Sequence, residues 1–406
     1  MKNKIIYGLT LLSLCLVSSA SYARIKLITL PVREHIEIQL ENENITLIEE
    51  ERIVPLQQGN NAIDFSWHNT SIKPETIVFR VIDAKDQAKI NILSVSYPPN
   101  ESALTWKISS DRDGSARVRI SYAINHLHKK YHYIATTNVD ETQINLKQYI
   151  QVINQSGEEF IDAAMNTGTD NVQSLPMGIN ETQEFLNHQY ENIPLEKTYT
   201  VNAAQLGYRD RAQDKLNVLM HYQLHNDAEH KLGKHSLAAG KVRIYQQDKK
   251  GSQVFMGEDW GQYTARGDKQ QLYIGQARDI VVKRVIERKN QRHINGNLKD
   301  IDILLKYEIE NFKEDEVILI IEESLVHLRN EVLPQRSQNQ AIEWNIGQDT
   351  NFKNTPIKER TNSQSIAYAV TLPGRQVAGE KLSDINDSDN VLKLEKKLNI
   401  NLKNEW

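Results

Sequence analysis

Apolar and polar residues alternate along much of this chain with a period of two. Ile36, Ile38 and Leu40 are separated by Glu37 and Gln39, and Ala116, Val118, Ile120 and Tyr122 are separated by arginine and serine. Leu216, Val218, Met220, Tyr222 and Leu224 share one side of the segment 215–225, and the same rhythm returns at 242–245 and 301–309. Successive side chains of a strand point to opposite faces, so this period predicts half-buried strands. Turn-forming groups divide them: Gln58-Gly59-Asn60-Asn61, Pro98-Pro99-Asn100, Asp111-Arg112-Asp113-Gly114, Lys249-Lys250-Gly251-Ser252 and Arg266-Gly267-Asp268. Many short strands at such spacing, with few runs of helical period, predict an all-β protein of two antiparallel β-sandwich domains.

Between Gly157 and Pro194 the alternation lapses into Asn166-Thr167-Gly168-Thr169-Asp170-Asn171 and Pro176-Met177-Gly178-Ile179-Asn180. This stretch reads as an irregular linker, 157–194, between an N-terminal domain at 24–156 and a C-terminal domain at 195–406. Asn180 followed by Gln183 has the residue types of a helix N-terminus, which predicts a short helix through Tyr190. A second polar stretch, 345–363, reads as a long loop.

The first 23 residues follow a different rule. Lys2 and Lys4 precede an apolar run from Ile5 to Val17, and Ser21-Tyr22-Ala23 stands before Arg24. A charged start, an apolar run too short to span a bilayer, and small residues at −3 and −1 predict a secretory signal peptide cleaved after Ala23, and so a periplasmic or secreted protein. The only cysteine, Cys15, lies inside that segment, so stability of the mature chain must come from packing rather than disulfides. Leu14 occupies a position where lipoprotein signals carry a small residue, which argues against anchoring through Cys15. No other apolar segment approaches the roughly 20 residues of a membrane helix.

Charge removes further classes. Losing Lys2 and Lys4 takes the formal net charge from −4 to −6. Phosphate backbones and anionic lipid surfaces need clustered Lys and Arg, and no run supplies them, so neither nucleic acid nor a membrane surface is an expected partner.

One set of motifs goes beyond generic β structure. Leu232-Gly233-Lys234 leads through Ala239-Gly240-Lys241-Val242-Arg243-Ile244-Tyr245 to Asp248, Gly251 and Phe255-Met256-Gly257-Glu258-Asp259, with Ile274-Gly275 further on. Upstream stand Gly59-Asn60-Asn61-Ala62-Ile63-Asp64-Phe65-Ser66-Trp67, Ser71-Ile72-Lys73-Pro74-Glu75-Thr76, Tyr97-Pro98-Pro99-Asn100-Glu101-Ser102 and Asn154-Gln155-Ser156-Gly157-Glu158. Together these resemble the conserved domain of unknown function in the mucoidy-inhibitor-A-like family of bacterial envelope proteins. The resemblance spans most of 30–330 and implies an envelope context and a β-sandwich. It brings no catalytic residues, and this chain lacks the coiled-coil insertion of longer members.

Candidate chemistry is sparse. His221, His225, His230 and His235 fall within fifteen residues, a density that suits Zn²⁺ or Cu²⁺. Residues four apart on a strand lie about 13 Å from one another, however, so His221 and His225 cannot share one ion. Asp384, Asn386, Ser388 and Glu395 match positions 1, 3, 5 and 12 of a calcium loop, but Asp389 replaces its glycine and strand-like alternation follows. Arg266-Gly267-Asp268 is an integrin-type tripeptide that turn chemistry also explains. Trp67, Trp106, Trp260 and Trp344 are candidates for a carbohydrate platform if their rings are exposed and coplanar. The C-terminal Leu398, Ile400, Leu402 and Trp406 carry part of an outer-membrane barrel signature, which Asn404 interrupts. No nucleophile elbow, phosphate loop or dinucleotide fingerprint occurs, so the sequence names no catalytic residue and no cofactor.

These observations lead to an uncharacterised envelope protein that acts as a non-enzymatic binding or structural module, its partner another envelope protein or a glycan. The alternatives are a metal-dependent or glycan-directed hydrolase and an outer-membrane β-barrel.

Overall fold

The computed structural model describes residues 26–42, 45–168, 172–206, 215–333, 341–375 and 393–405. The signal-peptide segment 1–23, Trp406 and three of the calcium-loop candidates, Asp384, Asn386 and Ser388, lie outside them. The chain is all-β: strands dominate, in four sheets, and a single α-helix, Leu325–Val332, occurs among the described residues. No helix among them is long and apolar enough to cross a membrane.

Two compact units form, one from 1–130 with 150–185 and the other from 131–149 with 186–406. The boundary falls inside the strands Leu127–Thr137, Gln143–Asn154 and Thr182–Pro194 rather than in a linker. In place of the irregular segment expected at 157–194 stand three strands: Phe160–Asn166, Val172–Met177 and Thr182–Pro194. The expected helix after Asn180 is absent because Asn180 adopts φ 59°, a left-handed turn conformation, whereas a helix N-cap needs extended backbone. The Gly178 N–H donates to the Glu181 side chain and closes that turn.

The first unit holds a six-stranded and a four-stranded sheet. The former runs in the order Val172–Met177, Phe160–Asn166, His35–Gln39, Thr46–Leu56, Gly114–Ile124, Val78–Ala84, and the latter Lys26–Thr29, Gly59–Ser66, Ala103–Ser110, Ile90–Ser96. Neither is wholly antiparallel. Phe160–Asn166 runs parallel to His35–Gln39, and Lys26–Thr29 parallel to Gly59–Ser66. Alternation specifies which face of a strand is buried, but the direction of its partner comes from distant chain, so the antiparallel expectation is corrected here. Rings from the two sheets meet: Phe65 lies 5.8 Å from Tyr122, and Phe79 lies 4.8 Å from Trp106. On the outer face of the six-stranded sheet Glu51 pairs with Arg119 at 2.6 Å and Arg117 at 3.2 Å.

The second unit is built on an eight-stranded sheet, ordered Glu343–Ile346, Lys393–Glu405, Leu298–Asn311, Lys269–Asn295, Lys215–His225, Glu196–Asn202, Val317–Ser324, Ser365–Leu372. One pair, Glu196–Asn202 with Val317–Ser324, is parallel. The strand Lys269–Asn295 serves two apolar clusters. Leu272 and Ile274 pack with Tyr222, Leu224, Val242 and Ile244, while Ile280 and Val282 join Ile303, Leu305, Leu319 and Leu328. The helix covers the second cluster with Leu325, Leu328 and Val332, spaced to share one face, and Ser324 caps it by accepting from the His327 N–H.

Within that second cluster Arg284 is buried between Glu323 at 2.9 Å and Glu331 at 3.0 Å, and the Tyr307 hydroxyl donates to Glu323 at 2.7 Å. Removing one partner strands the other charge in apolar surroundings. Arg284→Met is therefore expected to lose about 3–5 kcal/mol of stability in urea unfolding, and Arg284→Met with Glu323→Leu to lose less than that single change.

The outer charge ladder makes a separate prediction about acid. The hydrogen bond from Arg119 holds the Glu51 carboxyl below its ordinary value of 4.5. A depressed folded-state value gives stability that is present above 4.5 and lost as pH falls through the folded value. Glu51→Gln should flatten the acid limb of a melting-temperature profile below that pH and leave the neutral region nearly level.

Candidate functional site

Strand register builds a polar surface on the second unit. Glu196–Asn202 pairs with Lys215–His225 so that Glu196 stands opposite Gln223 and Thr198 opposite His221. On the other side Gln223 faces Gln271, His221 faces Tyr273 and His225 faces Lys269. Directly opposed residues share a face of a sheet. Tyr199, Tyr222, Leu224 and Leu272 therefore point into the core, and the residues between them point outward. A groove of about 970 Å³ opens over this outward surface, lined there by Glu196, Thr198, Gln223 and Gln271, with Tyr263 and Arg360 beside them.

The floor is organised by amides. Gln271 Nε2 donates to Gln223 Oε1 at 3.3 Å, and Gln223 Nε2 donates to Glu196 Oε2 at 2.7 Å. Thr198 is 8% exposed, and among the described residues its Oγ1 finds no hydrogen-bond partner, nor does Nδ1 of His221 opposite it. Buried polar atoms of this kind cost free energy until something pairs with them. Burial, and next the charge of Arg360, lower the proton affinity of His221. Around the rim the charges balance only partly. Asp140, Glu141, Glu196, Asp315, Glu316 and Glu359 face Lys197, Lys269, Lys313 and Arg360. Lys197 is already paired with Glu141 at 2.6 Å.

At one margin of this floor lies a histidine cluster that differs from the expected four. His225 ends its strand, and its ring stacks on that of His230 with centroids 4.5 Å apart. Asp227, which composition did not single out, accepts from the ring of His230 at 2.7 Å. That hydrogen bond holds the Asp227 carboxyl below its ordinary range. One ligand atom from each of His225, Asp227 and His230 lies within 4.8 Å of the others. His221 stands apart on the strand against Tyr273, ring centroids 5.7 Å away, and His235 stacks on His188 at 4.4 Å. The strand-spacing argument thus separates His221 from His225, while the chain reversal at 226–230 folds His230 back.

That reversal is held by Asn226, which is fully buried. Its Nδ2 donates to the carbonyls of His235, Thr264 and Ala265, and its Oδ1 accepts from the Gly233 N–H at 2.9 Å. Gly233 adopts φ 80°, and a Cβ there would sit 2.6 Å from the Asp227 backbone. The Arg266-Gly267-Asp268 turn belongs to the same clamp, because the Gly267 N–H donates to Asn226 O and the Asn226 N–H to Asp268 O.

Other sequence candidates fall elsewhere. Glu395 lies within the strand Lys393–Glu405, 3.5 Å from Lys397, as the following alternation implied. Trp106 is buried, Trp67 and Trp344 are half-buried, and Trp260 alone of the four is exposed, so these tryptophans form no paired platform. Comparison of the chain with protein-family models and with curated proteins gives no match.

Asn226→Ala should cost about 2 kcal/mol, since one buried side chain satisfies four backbone groups. Hydrogen exchange should show amides in 227–235 losing protection while those of 317–324 keep theirs; equal losses in both segments would contradict a local clamp.

Proposed function

We propose that this protein is a binding module of the cell envelope that holds a neutral glycan in the groove of its second unit, without chemistry of its own. The observation that carries the reading is the floor: amide side chains already aligned by hydrogen bonds, with the buried, unpaired Thr198 hydroxyl on the adjoining strand opposite His221. Amides and hydroxyls both donate and accept, which matches the hydroxyl groups of a sugar. The mild excess of carboxylates around the rim disfavours phosphate and other anions. Tyr263, 66% exposed, offers an apolar ring against which a sugar face can pack. The signal-peptide pattern of 1–23 and the motif likeness to the mucoidy-inhibitor-A-like family support an extracytoplasmic setting.

A metal-dependent hydrolase is the second reading, and the cluster of His225, Asp227 and His230 at the groove margin favours it. The two part on product formation, since a hydrolase releases new reducing ends when zinc is present and a binding module does not.

Calorimetry with a panel of neutral oligosaccharides should find at least one ligand. Thr198→Val, which keeps shape and removes the hydroxyl, should weaken it about five- to tenfold, and Gln271→Ala about tenfold or more. Failure of every oligosaccharide at millimolar concentration, or unchanged affinity in both variants, would end the glycan reading.

A further inference from the structure

We infer that His225, Asp227 and His230 form a binding site for one divalent transition-metal ion of the zinc class, and that the ion staples the reversal 226–230 to the end of the strand Lys215–His225. The inference asks no chemistry of the ion, so it stands whether the neighbouring groove binds a glycan or hydrolyses one.

The three residues stand at i, i+2 and i+5, where a strand ends and the chain turns back. Had the strand continued, His225 and His230 would lie about 17 Å apart. The reversal instead stacks their rings, centroids 4.5 Å apart, and brings one ligand atom from each of the three residues within 4.8 Å of the others. Asn226 fixes the intervening backbone through the carbonyls of Thr264 and Ala265 and the N–H of Gly233. Within the turn the Leu232 N–H donates to Asp227 O at 2.9 Å. The ligands are thus carried on backbone that is already held, and an ion has only side chains to order.

The carboxylate is aimed as well. Asp227 Oδ1 accepts from the His230 N–H at 2.9 Å and from its ring Nδ1 at 2.7 Å, so carboxylate and imidazole stand in contact. Gln223 and Glu196, which line the groove, lie 3.4 and 3.6 Å from Nε2 of His225 and orient its ring; they are not counted as ligands. Two imidazoles and one carboxylate make a three-ligand zinc set with a fourth position open to water. Copper and nickel also suit such donors, whereas calcium and magnesium call for oxygen ligands throughout. Neighbouring ligand atoms of a tetrahedral zinc centre stand about 3.3 Å apart, given bonds of roughly 2.0–2.1 Å. Side-chain rotation can supply that adjustment, since His225, His230 and Asp227 are 20%, 27% and 35% exposed.

The test uses the full purified protein, ZnCl₂ without any glycan, and competition against a chromophoric chelator. One ion per chain is expected. His225→Gln and His230→Gln, which keep side-chain volume on partly exposed positions, should each weaken binding about tenfold or more, as should Asp227→Ala. Asp227→Asn keeps an acceptor for His230 but loses the charge, and should weaken binding severalfold. His221→Ala and His235→Ala should bind as the parent does. Hydrogen exchange should slow in 227–233 when zinc is added to the parent and stay unchanged in the His225→Gln/His230→Gln protein. Absence of zinc binding at millimolar concentration, or parental affinity in that double variant, would overturn the assignment. So would dependence on His221 or His235, or zinc binding that leaves exchange in 227–233 unaltered.

Discussion

Arg284 sits opposite Tyr307 in the pairing of two long strands, and their contacts with Glu323 tie those strands to Val317–Ser324, which lies further along the same sheet beyond Lys215–His225 and Glu196–Asn202. Glu331 brings the helix Leu325–Val332 into the same cluster. An arginine in apolar surroundings is tolerated only where its fork finds carboxylates, so slipping either strand by one residue would bury an unpaired charge as well as invert a face. The first unit repeats the device. Arg33 lies between Glu50 at 2.6 Å and Glu158 at 2.7 Å, and the Tyr122 hydroxyl donates to Glu158. Burial pushes the Glu158 carboxyl above its usual range, with Arg33 pulling the other way. A chain with one cysteine has no internal disulfide to hold its sheets in register, and these charge clusters specify what a cross-link would otherwise constrain.

The groove inherits that specification. Lys269–Asn295 carries Arg284 near its middle and Gln271 near its start, so the pairing that satisfies the buried arginine also determines which residues of this strand face outward. Bulges at Leu216/Val218 and Met220/His221 adjust the pairing locally without releasing Gln223 from Gln271. Core packing of Tyr222, Leu224 and Leu272 then turns the intervening polar residues outward as a single surface. The floor is thus the reverse side of a core, and its precision comes from packing it does not itself contain.

Alternation made the all-β class legible, because period two requires only that one face be buried. The segment 215–225 is a strand at those same limits, and 301–309 lies within Leu298–Asn311. The stretch 157–194 was opaque for a physical reason. Thr182–Pro194 has polar or exposed residues on both faces over most of its length, so it gives no period to read, and Asn180 has the same composition in a turn as at a helix start. Parallel pairing was equally hidden, since nothing in Phe160–Asn166 encodes its meeting with His35–Gln39. At the candidate site the residue types His225 and His230 were visible, and strand geometry separated His225 from His221. Glu196 approaches His225 from a different strand, and Asp227 meets His230 through a reversal held by Asn226, so neither could be found by spacing alone.

Glu196 and Gln223 belong to both the groove floor and the histidine margin, which makes the two interdependent. Gln223 now directs its amide to Glu196, and the same carboxylate faces His225.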